Sequence, residues 1–336
     1  QACVPNMFLI LFLFSLTSGE RVFARNDFCD GFLLEDKDKN AIALRPRKSS
    51  ARLIDTFAFG NAYEGEELLL RLYEMAEEVS EFHIVEGDRD FTGATKPYTF
   101  DELLNSGRLG AWQDKITYHR AKIPKEVKGY KLQDAQRQAM RSQMRSYRGY
   151  DQSDILLEGD LDEIVSQKAL QALKHCEPVT GAWNTHIHMA NFYYSVAWTS
   201  GDWGFPTTAA FFSEVQDPPT APTASAAFFE SGSVWTRPNM LSARDGSVLG
   251  WHFGWILNGS AGLAHKIFIH VEGFPDWAKG FRNEAALATF LETSFYANPD
   301  HYDPQIYPSK LGKTDLPQAL VSHPEEFPNI LRDVKW

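Results

Sequence analysis

The sequence predicts an α/β fold: a doubly wound, mostly parallel sheet with added antiparallel strands in the C-terminal half. Short apolar runs at Leu53–Phe59, Phe82–Val85, Lys115–Ala121 and Ile155–Leu157 alternate with segments of helical periodicity. Strands separated by helices pair in parallel, with the helices covering both faces of the sheet. From Trp183 to Trp198 the chain turns aromatic and β-prone, which predicts the added strands. At 336 residues the chain can bury the core of one continuous domain.

In order along the chain, Met7 to Leu16 is an apolar run followed by Thr17, Ser18 and Gly19. Crossing a bilayer takes about 20 apolar residues, so residues 1–19 read as a signal peptide, with a short anchor as the alternative. Residues 20–51 are polar and charged and read as stem or linker. Residues 52–336 form the expected catalytic domain. Cys29 and Cys176 could pair in an oxidising lumen but show no framework spacing. Asn258 opens a glycosylation sequon, consistent with secretion. The expected location is the lumen of the secretory pathway, Golgi or secreted, with membrane contact only through the N-terminal segment.

Leu53–Phe59 is a strand ended by Gly60 and Asn61, a turn signal. Leu68, Leu69, Leu72, Met75, Ala76 and Val79 recur at helical spacing behind Glu64, Glu66 and Glu67, whose charge suits a helix N-terminus. Two further strands follow, the first closing on Glu86-Gly87-Asp88. Gln133–Tyr147 reads as a polar helix and Gln167–His175 as another. The segment from Gln216 to Ala224 is too rich in proline for a regular element. Beyond Phe290 the composition predicts an irregular segment wrapping the surface.

The net charge of -11 excludes a nucleic-acid binder, because phosphate backbones demand a basic surface. Chemistry concentrates where the strand at Ile155 runs into Asp160, Asp162 and Glu163. In a doubly wound sheet ligands bind at the carboxyl ends of the strands. Two aspartates one residue apart there can hold a divalent cation, Mn2+ or Mg2+, that keeps positions open for diphosphate oxygens. Glu86 and Asp88 end a neighbouring strand, where a nucleotide could meet them. Arg137, Arg141 and Arg145 recur every four residues, giving one cationic face within reach of a diphosphate. His252 stands among aromatics and glycines as a third metal ligand, a phosphate contact or a buried structural histidine. Lys266, His270 and Glu272 form a cluster suited to phosphate binding or to an acceptor proton.

These stretches, in this order, resemble glycosyltransferase family 17. The matching pieces are Ile54 to Asn61, Leu69 to Glu74, Phe82 to Glu86, Phe91 to Gly93, Lys96-Pro97, Asp160 to Ile164, Gly250 to His252, Lys266 with His270 and Glu272, and Phe274 to Trp277. The resemblance implies a GT-A-like nucleotide-sugar fold, a UDP-GlcNAc donor, a divalent cation and inversion at the anomeric carbon. The implied acceptor is a mannose of a glycoprotein N-glycan. It assigns Asp160 and Asp162 to the metal and diphosphate, Glu86 to the nucleotide end, and His252 and Lys266 to the pocket. Gly159 and Val165 depart from the family pattern, and Trp203 to Glu230 has no counterpart. Inversion needs a general base: Glu272 is the first candidate and Asp245 the second. A hydrolase would need two carboxylates flanking a glycosidic bond about 5–10 Å apart, which neighbouring aspartates fit poorly. The alternative outside catalysis is a lectin-like glycan-binding protein on the same scaffold.

Overall fold

The computed structural model describes residues 28–336 apart from 37–39, 148, 180–183, 203, 205–206, 213–238, 258, 270–277, 279, 297–306, 311, 333 and 335–336. The apolar leader, the sequon at Asn258, the proline-rich loop and both His270 and Glu272 lie outside the described residues.

Three strands precede the first predicted one: β1 (Phe32–Asp36), β2 (Ala41–Ile42) and β3 (Leu44–Pro46). Then come β4 (Leu53–Phe59), α1 (Gly65–Met75), β5 (Glu81–Gly87), α2 (Phe100–Asn105) and β6 (Ile116–Ala121). They are followed by α3 (Tyr130–Ser146), β7 (Ile155–Asp160), β8 (Glu163–Val165), α4 (Gln167–His175) and β9 (Cys176–Pro178). β4, β5, β6 and β7 are mutually parallel in the order β7-β4-β5-β6. β4 sits inside this group, so nearly all of Leu-Ile-Asp-Thr-Phe-Ala-Phe is buried, as expected for a strand covered on both faces. α1 begins behind a capping box in which Asn61 accepts from the Tyr63 amide and Glu64 turns back to the chain at Asn61.

The second half supplies β10 (Asn184–Ile187), β11 (Ala190–Tyr193), β12 (Ser195–Asp202), β13 (Thr208–Phe211), β14 (Asn239–Ala243) and β15 (Gly250–Gly254). α5 (Gly259–Ile269), α6 (Glu284–Phe290), β16 (Tyr307–Pro308) and α7 (Gln318–Ser322) complete the labelled elements. β13 joins β7 antiparallel and β10 joins β13 antiparallel, extending the parallel group to a nine-stranded sheet. A second sheet runs β16-β12-β11-β15-β8. The predicted parallel half with antiparallel additions is the observed architecture. Among the described residues no helix is long and apolar enough to cross a membrane.

Two expectations are corrected. The stem assigned to residues 20–51 is folded into the domain over 32–46. β1 pairs with β14, β3 pairs with β9, and Phe32, Leu34 and Leu44 are buried. Cys29 and Cys176 form a disulfide that ties this segment to the end of α4. The chain beyond Phe290 also does more than wrap the surface. Leu320, Phe327 and Ile330 are fully buried in the main core. Glu74 of α1 accepts from the Ala319 amide at 3.3 Å, and Glu66 accepts from the Asn329 amide at 3.1 Å.

Candidate active site

A cleft of about 720 Å³ opens where β4 and β7 end. Its size suits a small-molecule ligand. One wall is the acidic loop between β7 and β8 together with α3; the facing wall is β15 and the end of α5.

The acidic loop is fixed from behind by Arg71. This fully buried guanidinium forms a two-pronged pair with Asp55 of β4, at 2.6 and 2.7 Å. Its other nitrogen donates to the backbone oxygens of Asp160 at 2.7 Å, Leu161 at 3.2 Å and Glu163 at 2.7 Å. Arg71 therefore sets the backbone path from which both aspartates project. From the front, Glu163 accepts from the Asp160 amide at 3.1 Å and from the Thr207 hydroxyl at 3.1 Å. A Cβ on Gly159 would collide with that Thr207 hydroxyl and crowd Glu163 Oε2 at 2.8 Å. The departure from the family pattern at Gly159 thus has a steric cause in this chain.

Asp160 and Asp162 both line the cleft, but they face different partners. Asp160 accepts from Gln133 Nε2 at 2.9 and 3.0 Å and from Arg137 at 2.5 Å, both on α3. Burial works against the Arg137 charge, and the Asp160 carboxylate outweighs it, raising the guanidinium above its ordinary range. Asp162 faces the other wall, with His252 Nε2 at 3.5 Å and Lys266 Nζ at 3.9 Å. Burial pushes the Asp162 carboxyl up, but His252 and Lys266 prevail and hold it well below the usual carboxylate range.

In this arrangement Asp160 thus meets α3 while Asp162 meets the facing wall. Among the described residues no group of three or more His, Cys, Asp or Glu is spaced to hold a metal ion. The chemistry of the donor set nevertheless favours one position. Asn191 gives its amide nitrogen to Ser200 at 2.8 Å and turns its oxygen to His252 Nδ1 at 2.6 Å. That oxygen accepts from Nδ1–H, which leaves Nε2 as the ring atom facing the Asp162 carboxylate. A proton on Nε2 or a metal ion would each supply the positive species that suits this position. Asp162 with His252 fits a divalent cation; Asp160, engaged by Arg137 and Gln133, does not fit as a direct ligand in this arrangement.

The profile of glycosyltransferase family 17 matches residues 40–217, just over half of the sequence. The chain belongs to glycosyltransferase family 17. This family 17 enzyme matches no sequence among curated proteins. Among solved structures it is similar to the glycosyltransferase GlyE of Streptococcus pneumoniae TIGR4, at 10% identity and a TM-score of 0.25. That likeness covers 49% of this chain and 35% of GlyE, so the chain spans about a third of that protein. It is also similar to an active-site mutant of LgtC, at 8% identity and a TM-score of 0.32. A third structure is galactosyltransferase LgtC in complex with donor and acceptor sugar analogues, at 9% identity and a TM-score of 0.30. Each LgtC likeness covers 84% of this chain and 97% of the other.

Within this glycosyltransferase the cleft brings together Arg137, Asp160, Asp162, His252 and Lys266. Glu86 is not with them. It is fully buried and accepts from Lys96 Nζ at 2.6 Å, the Thr99 and Phe100 amides at 2.8 and 3.0 Å, and the Tyr118 hydroxyl at 2.7 Å. Its expected contact with nucleotide is corrected to a brace that holds Lys96, which does line the cleft. Asp245 sits apart on an exposed turn, bonded to Lys168 and Ser247, and is not among the residues lining the cleft. Its candidacy as base is not supported by that placement. Arg141 pairs with Glu158 at 2.6 Å.

The sequence reading missed Arg71, Asn191, Trp255 and the cleft-lining role of Glu64 and Glu67. An arginine inside Leu68-Leu-Leu-Arg-Leu72, on a helix otherwise buried, was the available signal for the first. Trp255 carries Lys266 Nζ 5.9 Å from its ring centre. Its backbone, with φ of 63°, and that of Leu257, with φ of 42°, lie in the left-handed region that side chains disfavour.

Proposed function

We propose that this cleft transfers a sugar from a nucleoside diphosphate donor, UDP-GlcNAc in the first instance, to a glycan hydroxyl, a mannose of a glycoprotein N-glycan. The observation that carries the reading is Asp162 facing His252 and Lys266 across a cleft at the strand ends. Asp162 and His252 would hold Mn2+ or Mg2+, which when bound neutralises charge on the departing diphosphate. Lys266 adds a cation on the same side, and Arg137 adds another from α3, so leaving-group charge meets electrostatic support from two directions. Asp160 keeps Arg137 in place. Phe91 and Tyr130, an edge-to-face pair with ring centres 6.4 Å apart, line the cleft together with Lys96 and suit a nucleobase.

Inversion at the anomeric carbon follows from the family resemblance, with Glu272 as the proposed base for the acceptor hydroxyl. The Cys29–Cys176 disulfide supports an oxidising compartment and hence the secretory lumen, Golgi or beyond. The test is UDP release by the purified chain from a panel of UDP-sugars, with and without Mn2+ and a mannose-terminated glycan acceptor. The reading expects release that needs both a specific donor and Mn2+. No release with any donor, alongside glycan binding, would favour the lectin-like alternative.

A further inference from the structure

Glu67 lies in the first turn of α1, is 1% exposed and lines the cleft. Among the described residues neither of its carboxyl oxygens has a hydrogen-bond partner on another residue. The other acids of this helix are all engaged. Glu66 bonds Asn329, and Glu74 bonds the Ala319 amide. Just ahead of the helix, Glu64 accepts from the Gly60 amide. A buried carboxyl left without partners is costly, and natural proteins keep one where a ligand supplies the missing bonds.

The surroundings define that ligand. Burial above all, and then the charges of Glu64, Asp162 and Glu66, oppose ionisation of Glu67 and push its carboxyl up to about 8. This corner suits a neutral group rich in hydroxyls, because a carboxyl kept protonated offers one O–H donor as well as acceptor oxygens to hydroxyls on adjacent ring carbons. The corner also adjoins Asp162, which the proposed function places at the diphosphate. The ring attached to that diphosphate would come next along the cleft. Trp255 lines the same cleft and offers an aromatic face, the usual companion of a carboxylate in holding a sugar ring.

We propose that Glu67 reads the hydroxyls of the sugar carried by the donor and so determines which sugar is transferred. The inference rests on the transferase reading above and adds the specificity residue to it. The test is calorimetric titration of the full chain, in Mn2+, with UDP and with one UDP-sugar. That donor is whichever of UDP-GlcNAc, UDP-glucose and UDP-galactose the wild type holds most tightly. Glu67→Ala is expected to bind UDP as the wild type does and to lose about tenfold or more in affinity for the UDP-sugar. Glu67→Gln, which keeps one acceptor oxygen, should lose less and should melt at a higher temperature than the wild type. Unchanged UDP-sugar affinity in Glu67→Ala would overturn the proposal, as would equal loss of UDP and UDP-sugar, or a lower melting temperature for Glu67→Gln. If the wild type binds no UDP at all, the transferase reading itself fails and this subsite falls with it.

Discussion

The two walls of the cleft are built differently. The acidic loop hangs from the parallel sheet and is gripped from behind by one buried guanidinium that bonds three backbone oxygens. The facing wall follows β15 and includes Trp255 and Leu257 in strained backbone, each costing about 1–3 kcal/mol. One wall is positioned by the core itself. The other stores strain where a ligand must be met, which is where folds tolerate it. The difference teaches that stability and chemistry are carried by separate residues across a few ångströms.

Breaking the supporting grip should have the largest effect. Arg71→Met leaves Asp55 buried and unpaired, and about 3–5 kcal/mol of stability should be lost, measured by denaturant unfolding. The double variant Arg71→Met with Asp55→Leu should recover most of that stability but not the activity, because the three loop carbonyls still lack their donor. Recovery of both would show that the grip serves stability alone. Next in size is the contrast between the aspartates. Asp162→Asn should lower turnover of UDP-sugar about a hundredfold or more. Asp160→Asn, which keeps a hydrogen bond to Gln133 or Arg137, should lose about tenfold. Equal losses would erase the distinction between the walls.

How far the sequence could anticipate this follows from distance along the chain. β4, α1 and β5 were legible because their apolar periods are local, and the strand leading into Asp160 was legible for the same reason. β1 was not, since Phe32 finds its partner at Ala243 and nothing near Phe32 announces that pairing. Asp160 and Asp162 were read as one site from their spacing; their separation depends on Arg137 from one helix and His252 from a distant strand. Glu86 was misread for a similar reason, because the amides that occupy it begin α2, after the loop that follows its own strand.

A smaller effect concerns pH. Burial pushes Glu74 up to about 7, and Glu67 up to about 8. Below about pH 4.5 both folded and unfolded chains hold these protons, so there is no penalty. As pH rises toward 7–8 the unfolded chain ionises freely while the folded one resists, so stability should fall across that window. Glu74→Gln should flatten the decline by a few degrees of melting temperature, as followed by calorimetry at several pH values. A decline unchanged in Glu74→Gln would show that this carboxyl is better accommodated than its burial implies.

The most direct test of the central claim follows bound Mn2+ by electron paramagnetic resonance as UDP is added to the wild type and three variants. The account predicts that Asp162→Asn and His252→Ala lose the UDP-dependent bound signal while Asp160→Asn keeps it. Bound Mn2+ that survives in Asp162→Asn and vanishes in Asp160→Asn would contradict it.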